Sequence, residues 1–186
     1  PDVSSAASDV YKRQLTHEGG LTAIRIEGPI NSVDQRLNRL SKELSLLDQE
    51  LSILDNEQSN IFWSRTKNLE VFKSLKSNLL RIVLPMSETL QVIQKLKNFE
   101  IKYFIDWGGG LIWASFDQLN TKILSEIKDT VKKHQGYITL IKVEEDLKAS
   151  ADIFTIDPIK YKISEKIKRS FDPKRIFNPG KMYTGI

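Results

Sequence analysis

The chain has no cysteine. That excludes disulfides, thiolate metal centres, iron–sulfur ligation and cysteine nucleophiles within these residues, and it fits a cytoplasmic protein. The two histidines, His17 and His134, lie far apart, and neither has a companion at metal-ligand spacing. No run approaches the roughly 18 apolar residues of a membrane-spanning helix. The first residues also lack the apolar core of a signal peptide. Nowhere are a nucleophile and a base arranged for covalent catalysis. The triplet Gly108-Gly109-Gly110 matches neither phosphate-loop pattern and runs into a strand, so it reads as a hairpin. Taken alone, the residues assign no chemistry.

What is present is the composition of one ordinary domain, or of a small domain with appendages: 186 residues, 40% hydrophobic and 28% charged. The net charge of +4 is unevenly placed. From Asp157 to Ile186 there are eight basic and three acidic residues, which leaves the rest of the chain slightly acidic. Such a segment suits a solvated helix face or an anionic neighbouring subunit. A nucleic-acid footprint needs an accompanying motif, and none is recognisable. Pro1 is not an initiator, and residues 1–14 lack periodicity. They read as an adaptor or assembly scar, or a disordered extension, with part of the gene missing upstream.

Periodicity orders the remainder. Leu21 to Glu27 alternates as a strand closed by Gly28-Pro29. Ser32 is expected to cap a helix over residues 33–54, with a leucine stripe for packing on a sheet. An interrupted helical region holds Phe62, Trp63 and Phe72. Residues 79–84 read as a strand, and Ser87 as the cap of a helix reaching about Lys97. Residues 102–106 and 111–115 read as strands joined by the glycine hairpin. A helix over residues 119–133 ends at Gly136, a strand covers 137–143, and a short helix lies near 144–149. Asp157-Pro158 begins a last helix with Ile159, Ile163 and Ile167 on one stripe. The order β-α-β-β-α-β predicts an α+β, ferredoxin-like split βαβ fold: an antiparallel sheet, helices on one face, and a helical C-terminal tail. The other face is the expected docking surface.

The tail from Phe171 to Tyr183 is too punctuated for a helix and too apolar to be unstructured. Asp172 before Pro173 reads as the cap of a short turn, and Asn178-Pro179-Gly180 as a sharp stop. Ile176, Phe177, Met182 and Tyr183 need an apolar surface. Arg25 and Arg81 each stand inside an apolar strand, where a guanidinium must reach solvent, a carboxylate or an anionic ligand; Glu27 is the local partner for Arg25.

The ending Phe171-Asp172-Pro173, then Ile176-Phe177-Asn178-Pro179-Gly180-Lys181-Met182, resembles the C-terminal signature of FAD-linked oxidases of the vanillyl-alcohol-oxidase type. Other segments are similar to the FAD-binding subunits of bacterial glycolate oxidases. Arg25-Ile26-Glu27-Gly28 with Ser32-Val33 resembles their entry to the second domain. Leu80-Arg81-Ile82-Val83-Leu84-Pro85 resembles an L-W-R-L-S-V-P strand, with leucine where tryptophan is usual. Asp106-Trp107-Gly108-Gly109 resembles their D-W-x-G hairpin. Gly136-Tyr137-Ile138-Thr139-Leu140 resembles G-G-H-A-T-L, with tyrosine for histidine.

The resemblance implies a substrate-side cap domain over residues 15–156, and a segment, 157–186, that returns to a separate FAD-binding domain of the same subunit. It implies FAD as cofactor, held mainly by that domain, and oxidation of a small 2-hydroxy acid such as glycolate to a 2-oxo acid. A sister flavin subunit and an iron–sulfur subunit are the implied partners, in a cytoplasmic complex attached peripherally to the inner membrane. Asn178, Pro179 and Gly180 are the implied cofactor-side residues. Arg25, Arg81 and Trp107 are candidates for the substrate pocket or domain interface. The sister subunit resembles a complete dehydrogenase, so turnover here and electron relay both stay open, and no general base is named. These residues alone are expected to be inactive. The alternative is a non-enzymatic ferredoxin-like binding or regulatory module that engages a partner through its basic C-terminal segment.

Overall fold

The alternating segment Leu21–Ile26 forms strand β2, paired antiparallel with β1 (Arg13–Glu18) across a turn in which Gly20 has φ +85°. The computed structural model describes residues 13–18, 20–46, 50–73, 78–150, 152–155 and 157–180, with Tyr183 and Ile186. Most of the expected scar, residues 1–12, lies outside these; Arg13 and Gln14 belong to β1. The chain divides into two compact units, Pro1–Ser74 and Leu75–Ile186.

In the first unit, helix α1 (Ile30–Ser45) begins before Ser32; Pro29 is its N-cap residue, and its carbonyl accepts from the Ser32 and Val33 amides at 3.0 Å. The expected run to Leu54 is interrupted. Asp55 accepts from the Gln58 amide at 2.8 Å, and Gln58 Oε1 accepts from the Asp55 amide at 3.1 Å. This capping box starts a new helix, α2 (Asn56–Lys67), so Asp55 cannot be a helix interior. Leu51 and Leu54 precede it, each a little under half exposed, and Leu47 lies outside the described residues.

The second unit carries β3 (Asn78–Val83), α3 (Thr89–Leu96), β4 (Ile101–Asp106), β5 (Leu111–Phe116), α4 (Thr121–Lys133) and β6 (Tyr137–Lys142). The strands lie in the order β4-β5-β3-β6, each pair antiparallel, which is the ferredoxin-like arrangement. Alternation sends Leu80, Ile82, Ile112, Ala114, Phe116 and Ile138 to one face, where they form a core with α3 and α4. Ser87 does not cap α3. It sits in a 3-10 turn, Met86–Glu88, that leads into the helix.

Helix α4 ends in paired reverse bonds. The Gly136 amide donates to Val131 O at 2.8 Å and the Gln135 amide to Lys132 O at 3.0 Å. Gln135, not Gly136, carries the positive φ of this ending, +57°. Its cap residue, His134, is buried. Its Nδ1 lies 2.6 Å from Glu88 Oε2 and its Nε2 lies 3.3 Å from Lys95 Nζ. Nδ1–H donating to Glu88, with Nε2 accepting from Lys95, satisfies both ring nitrogens and straps α4 to α3.

The sheet face opposite these helices is not bare. Leu79, Phe104, Leu111 and Ser115 point there by strand parity and are buried. The docking surface expected from sequence is thereby narrowed to Arg81, Val83, Trp113, Thr139 and their neighbours, which keep partial exposure.

After α5 (Glu145–Ser150), residues 152–155 run along the β6 edge. Thr139 bridges Phe154, the Leu140 amide donates to Ile153 O, and the Thr155 amide donates to Ile138 O. Helix α6 (Pro158–Phe171) starts as the sequence predicts, with Asp157 Oδ1 accepting from the Ile159 and Lys160 amides at 2.8 and 3.0 Å. The Lys160 amide bond leads in holding the Asp157 carboxyl below its usual value, followed by the Ile159 amide and the charges of Lys160 and Lys132.

Candidate functional site

Two places in the second unit gather the residues singled out by sequence. The first is the C-terminal segment. Asp172 ends α6 and opens the short turn expected of Asp172-Pro173, with the Arg175 amide donating to Asp172 O at 3.0 Å, and its side chain carries the capping chemistry into the loop beyond. Oδ1 accepts from the Ile176 amide and Oδ2 from the Phe177 amide, both at 2.9 Å, and Lys168 Nζ stands 2.6 Å from Oδ2. Lys168 also donates to the Phe177 carbonyl. A hydrogen bond from Lys168, reinforced by the two amides and the ammonium charge, lowers the buried Asp172 carboxyl to about 2.

The depressed value fixes the sign of a pH effect. Support of the loop by Asp172 is complete above the unfolded value of about 4 and is lost as pH falls toward about 2. In an NMR titration the Asp172 carboxyl is expected to have its midpoint near 2, and the Ile176 and Phe177 amide shifts are expected to follow it. Asp172→Asn should flatten both curves. A midpoint near 4 would mean that the anchor is not formed.

The anchored loop then turns outward. Arg175 and Asn178 have φ of +51° and +47°, and Gly180 has +69°. Asparagine tolerates this left-handed region better than most side chains. Asn178, Pro179 and Gly180 are all exposed, and no atom of the described residues lies within 4 Å of where a Cβ on Gly180 would stand. The chain beyond is pinned again. Tyr183 is buried, with its ring 5.7 Å from Tyr161 and 6.2 Å from Phe154, and the Gly180 amide donates to Ile186 O at 2.6 Å. Of the apolar tail residues, Tyr183 thus finds cover within the chain. Ile176 and Phe177 remain 67% and 68% exposed. Met182 lies outside the described residues. The α6 stripe, Ile159, Ile163, Ile167 and Phe171, is exposed as well.

The second place is the partly open sheet face. Arg81 and Trp107 come together, with the guanidinium carbon over the indole ring, 5.0 Å from its centroid. Trp107 begins the β4–β5 hairpin with φ +55°, followed by Gly108 at +63° and Gly109 at +109°. Gly110 is right-handed, so a tryptophan and two glycines supply the positive φ values of this hairpin. Asp106 Oδ1 accepts from the Trp107 amide at 2.8 Å, the Gly110 amide donates to Trp107 O at 3.3 Å, and the Thr89 hydroxyl donates to Gly109 O. Arg25 lies elsewhere, in the first unit, where Glu27 pairs with it at 2.6 Å.

Sequence reasoning did not single out Trp113 and Thr139, the register partners of Arg81 on either side. Strand parity and hairpin register were the signals that would have found them.

Residues 154–182 match the family model for FAD linked oxidases, C-terminal domain. The match runs from Phe154 through α6 and the Asp172 anchor to the exposed Asn178–Gly180 turn. Over that stretch the chain is similar to flavin-dependent oxidoreductases. No curated protein matches the chain.

Proposed function

We propose that this chain is the substrate-side cap and returning C-terminal segment of an FAD-dependent oxidoreductase that oxidises a 2-hydroxy acid to a 2-oxo acid, and specifically of the flavin subunit of a glycolate oxidase. The observation that carries the reading is the match over residues 154–182, whose apolar residues Ile176 and Phe177 stand exposed beside an outward turn. An anchored turn flanked by uncovered apolar side chains suits docking on another domain. In this reading that domain is the FAD-binding domain of the same subunit. The sister flavin subunit and iron–sulfur subunit accept the electrons, in a cytoplasmic complex held peripherally at the inner membrane.

The residues present fit such a cofactor edge. The Asn178 side chain is exposed, with both donor and acceptor capacity, and the space beside Gly180 is open. Asn178 would hydrogen-bond the flavin's polar edge, with Pro179 fixing the turn and Gly180 admitting close approach. Bound flavin supplies the acceptor for the hydride of the hydroxy acid. The chain's own contribution is to orient, to exclude water and to present cations toward a carboxylate substrate.

Asn178→Ala in the assembled enzyme is expected to lower flavin retention on gel filtration by roughly two- to tenfold, the equivalent of one neutral hydrogen bond. Hydroxy-acid oxidation should fall in proportion. Unchanged flavin content together with unchanged activity would place the cofactor elsewhere.

A further inference from the structure

We infer that Arg81, stacked on Trp107 and flanked by Trp113 and Thr139, is a preorganised binding site for the carboxylate of a small α-hydroxy acid. That the carboxylate belongs to a hydroxy acid rests on the function proposed above; that the site takes a planar carboxylate rests on its own geometry.

The first observation is a cation with no ion-pair partner among the described residues. Arg25, Arg39, Arg65 and Arg169 each have a glutamate within ion-pair distance. Arg81 is half-buried in the middle of β3 and forms no ion pair among the described residues. A guanidinium partly withdrawn from water and left without a carboxylate is costly, because its charge cannot be relieved by deprotonation. Stacking on an indole satisfies its face and leaves its in-plane N–H donors for a ligand. Those donors match the two oxygens of a carboxylate in a fork.

The second observation is strain placed at the same point. A bulky tryptophan at φ +55° is unfavourable, and it persists because Asp106, Thr89 and the Gly110 amide hold its loop. The effect of that loop is to set the indole beneath Arg81. The third observation is register. Arg81 lies opposite Trp113 on β5 and Thr139 on β6, and paired residues share a face. Trp113 and Thr139 therefore stand on either side of Arg81 on one face of the sheet, and both side chains keep partial exposure. A carboxylate on Arg81 with a neighbouring hydroxyl on Thr139 is the pattern of an α-hydroxy acid.

The test is a titration of the 186-residue chain without flavin, followed by tryptophan emission, since Trp107 and Trp113 are two of its three tryptophans. Glycolate is expected to change the emission saturably, and glycolamide, its uncharged analogue, to bind at least about tenfold more weakly. Arg81→Lys keeps the charge and loses the fork, and should weaken glycolate by about tenfold or more. Arg81→Gln should abolish the response. Circular dichroism shows whether each variant is folded, and if Arg81→Gln is not, Arg81→Lys decides. Equal midpoints for glycolate and glycolamide, or for wild type and Arg81→Lys, would overturn the site, as would no saturable response. Glycolate binding through Arg81 in an assembly that proves to lack flavin would leave the site standing and remove the oxidase reading. A flavin-containing assembly whose chain ignores glycolate would do the reverse.

Discussion

Phe116→Ala is expected to destabilise the unit of residues 75–186 by about 3–5 kcal/mol, the range for truncating a buried aromatic. Phe116 ends β5, between its register partners Asn78 on β3 and Ile101 on β4, and none of its surface reaches solvent. Its ring lies in the cluster that joins the sheet to α3 and α4. Removing it takes away transfer free energy and leaves a void that β-strands on both sides prevent from collapsing. Urea unfolding measures the change, with Leu90→Ala as the comparison. Leu90 is 70% exposed, so its truncation should stay within about 0.5 kcal/mol. Equal effects at the two positions would mean that the helix-facing core is wrongly placed.

Gly136→Ala should cost about 1–3 kcal/mol, by overpacking. A Cβ there would stand 2.6 Å from Val131 Cγ1, 3.0 Å from the Val83 carbonyl oxygen and 3.1 Å from Leu84 Cβ. Two of those atoms belong to core side chains and one to backbone, so little can yield. The neighbouring Gln135→Gly should act in the opposite direction, by up to about 1 kcal/mol, because Gln135 holds the left-handed conformation that glycine adopts freely. Thermal unfolding of both variants separates close packing from backbone conformation as the reason for glycine at 136. A neutral Gly136→Ala would mean that the α4–β6 turn is looser than its geometry.

The same contrast explains what could be read from sequence. The β-α-β-β-α-β order, the glycine hairpin and the Asp157-Pro158 helix start were legible because each is written in local periodicity or capping chemistry. Helix α1 was misjudged because a leucine stripe continues past Ser45 into Leu51 and Leu54, while the capping box at Asp55 and Gln58 decides where the next helix begins. Strand β1 is not legible in the sequence, since Arg13-Gln14 continues the aperiodic stretch of residues 1–14. The Asp172 turn is legible from local capping chemistry, but which amides its carboxylate meets, those of Ile176 and Phe177, depends on where α6 ends.

At the site, the separate candidacies of Arg81 and Trp107 came from strand context and motif. Their stacking did not, because it depends on the hairpin returning Trp107 over β3. Trp113 and Thr139 joined them through register, which no single segment encodes. Arg25, by contrast, had its partner two residues away, and pairs with it.

On the proposed function, an assembly built around this chain uses flavin to oxidise a small 2-hydroxy acid. The most direct measurement is the visible absorption spectrum of that assembly, purified under native conditions through a tag on this chain and then mixed anaerobically with glycolate. Flavin absorption bands that bleach when glycolate is added are the expected result. An assembly that carries no flavin, or whose flavin is reduced by no small 2-hydroxy acid, would contradict it.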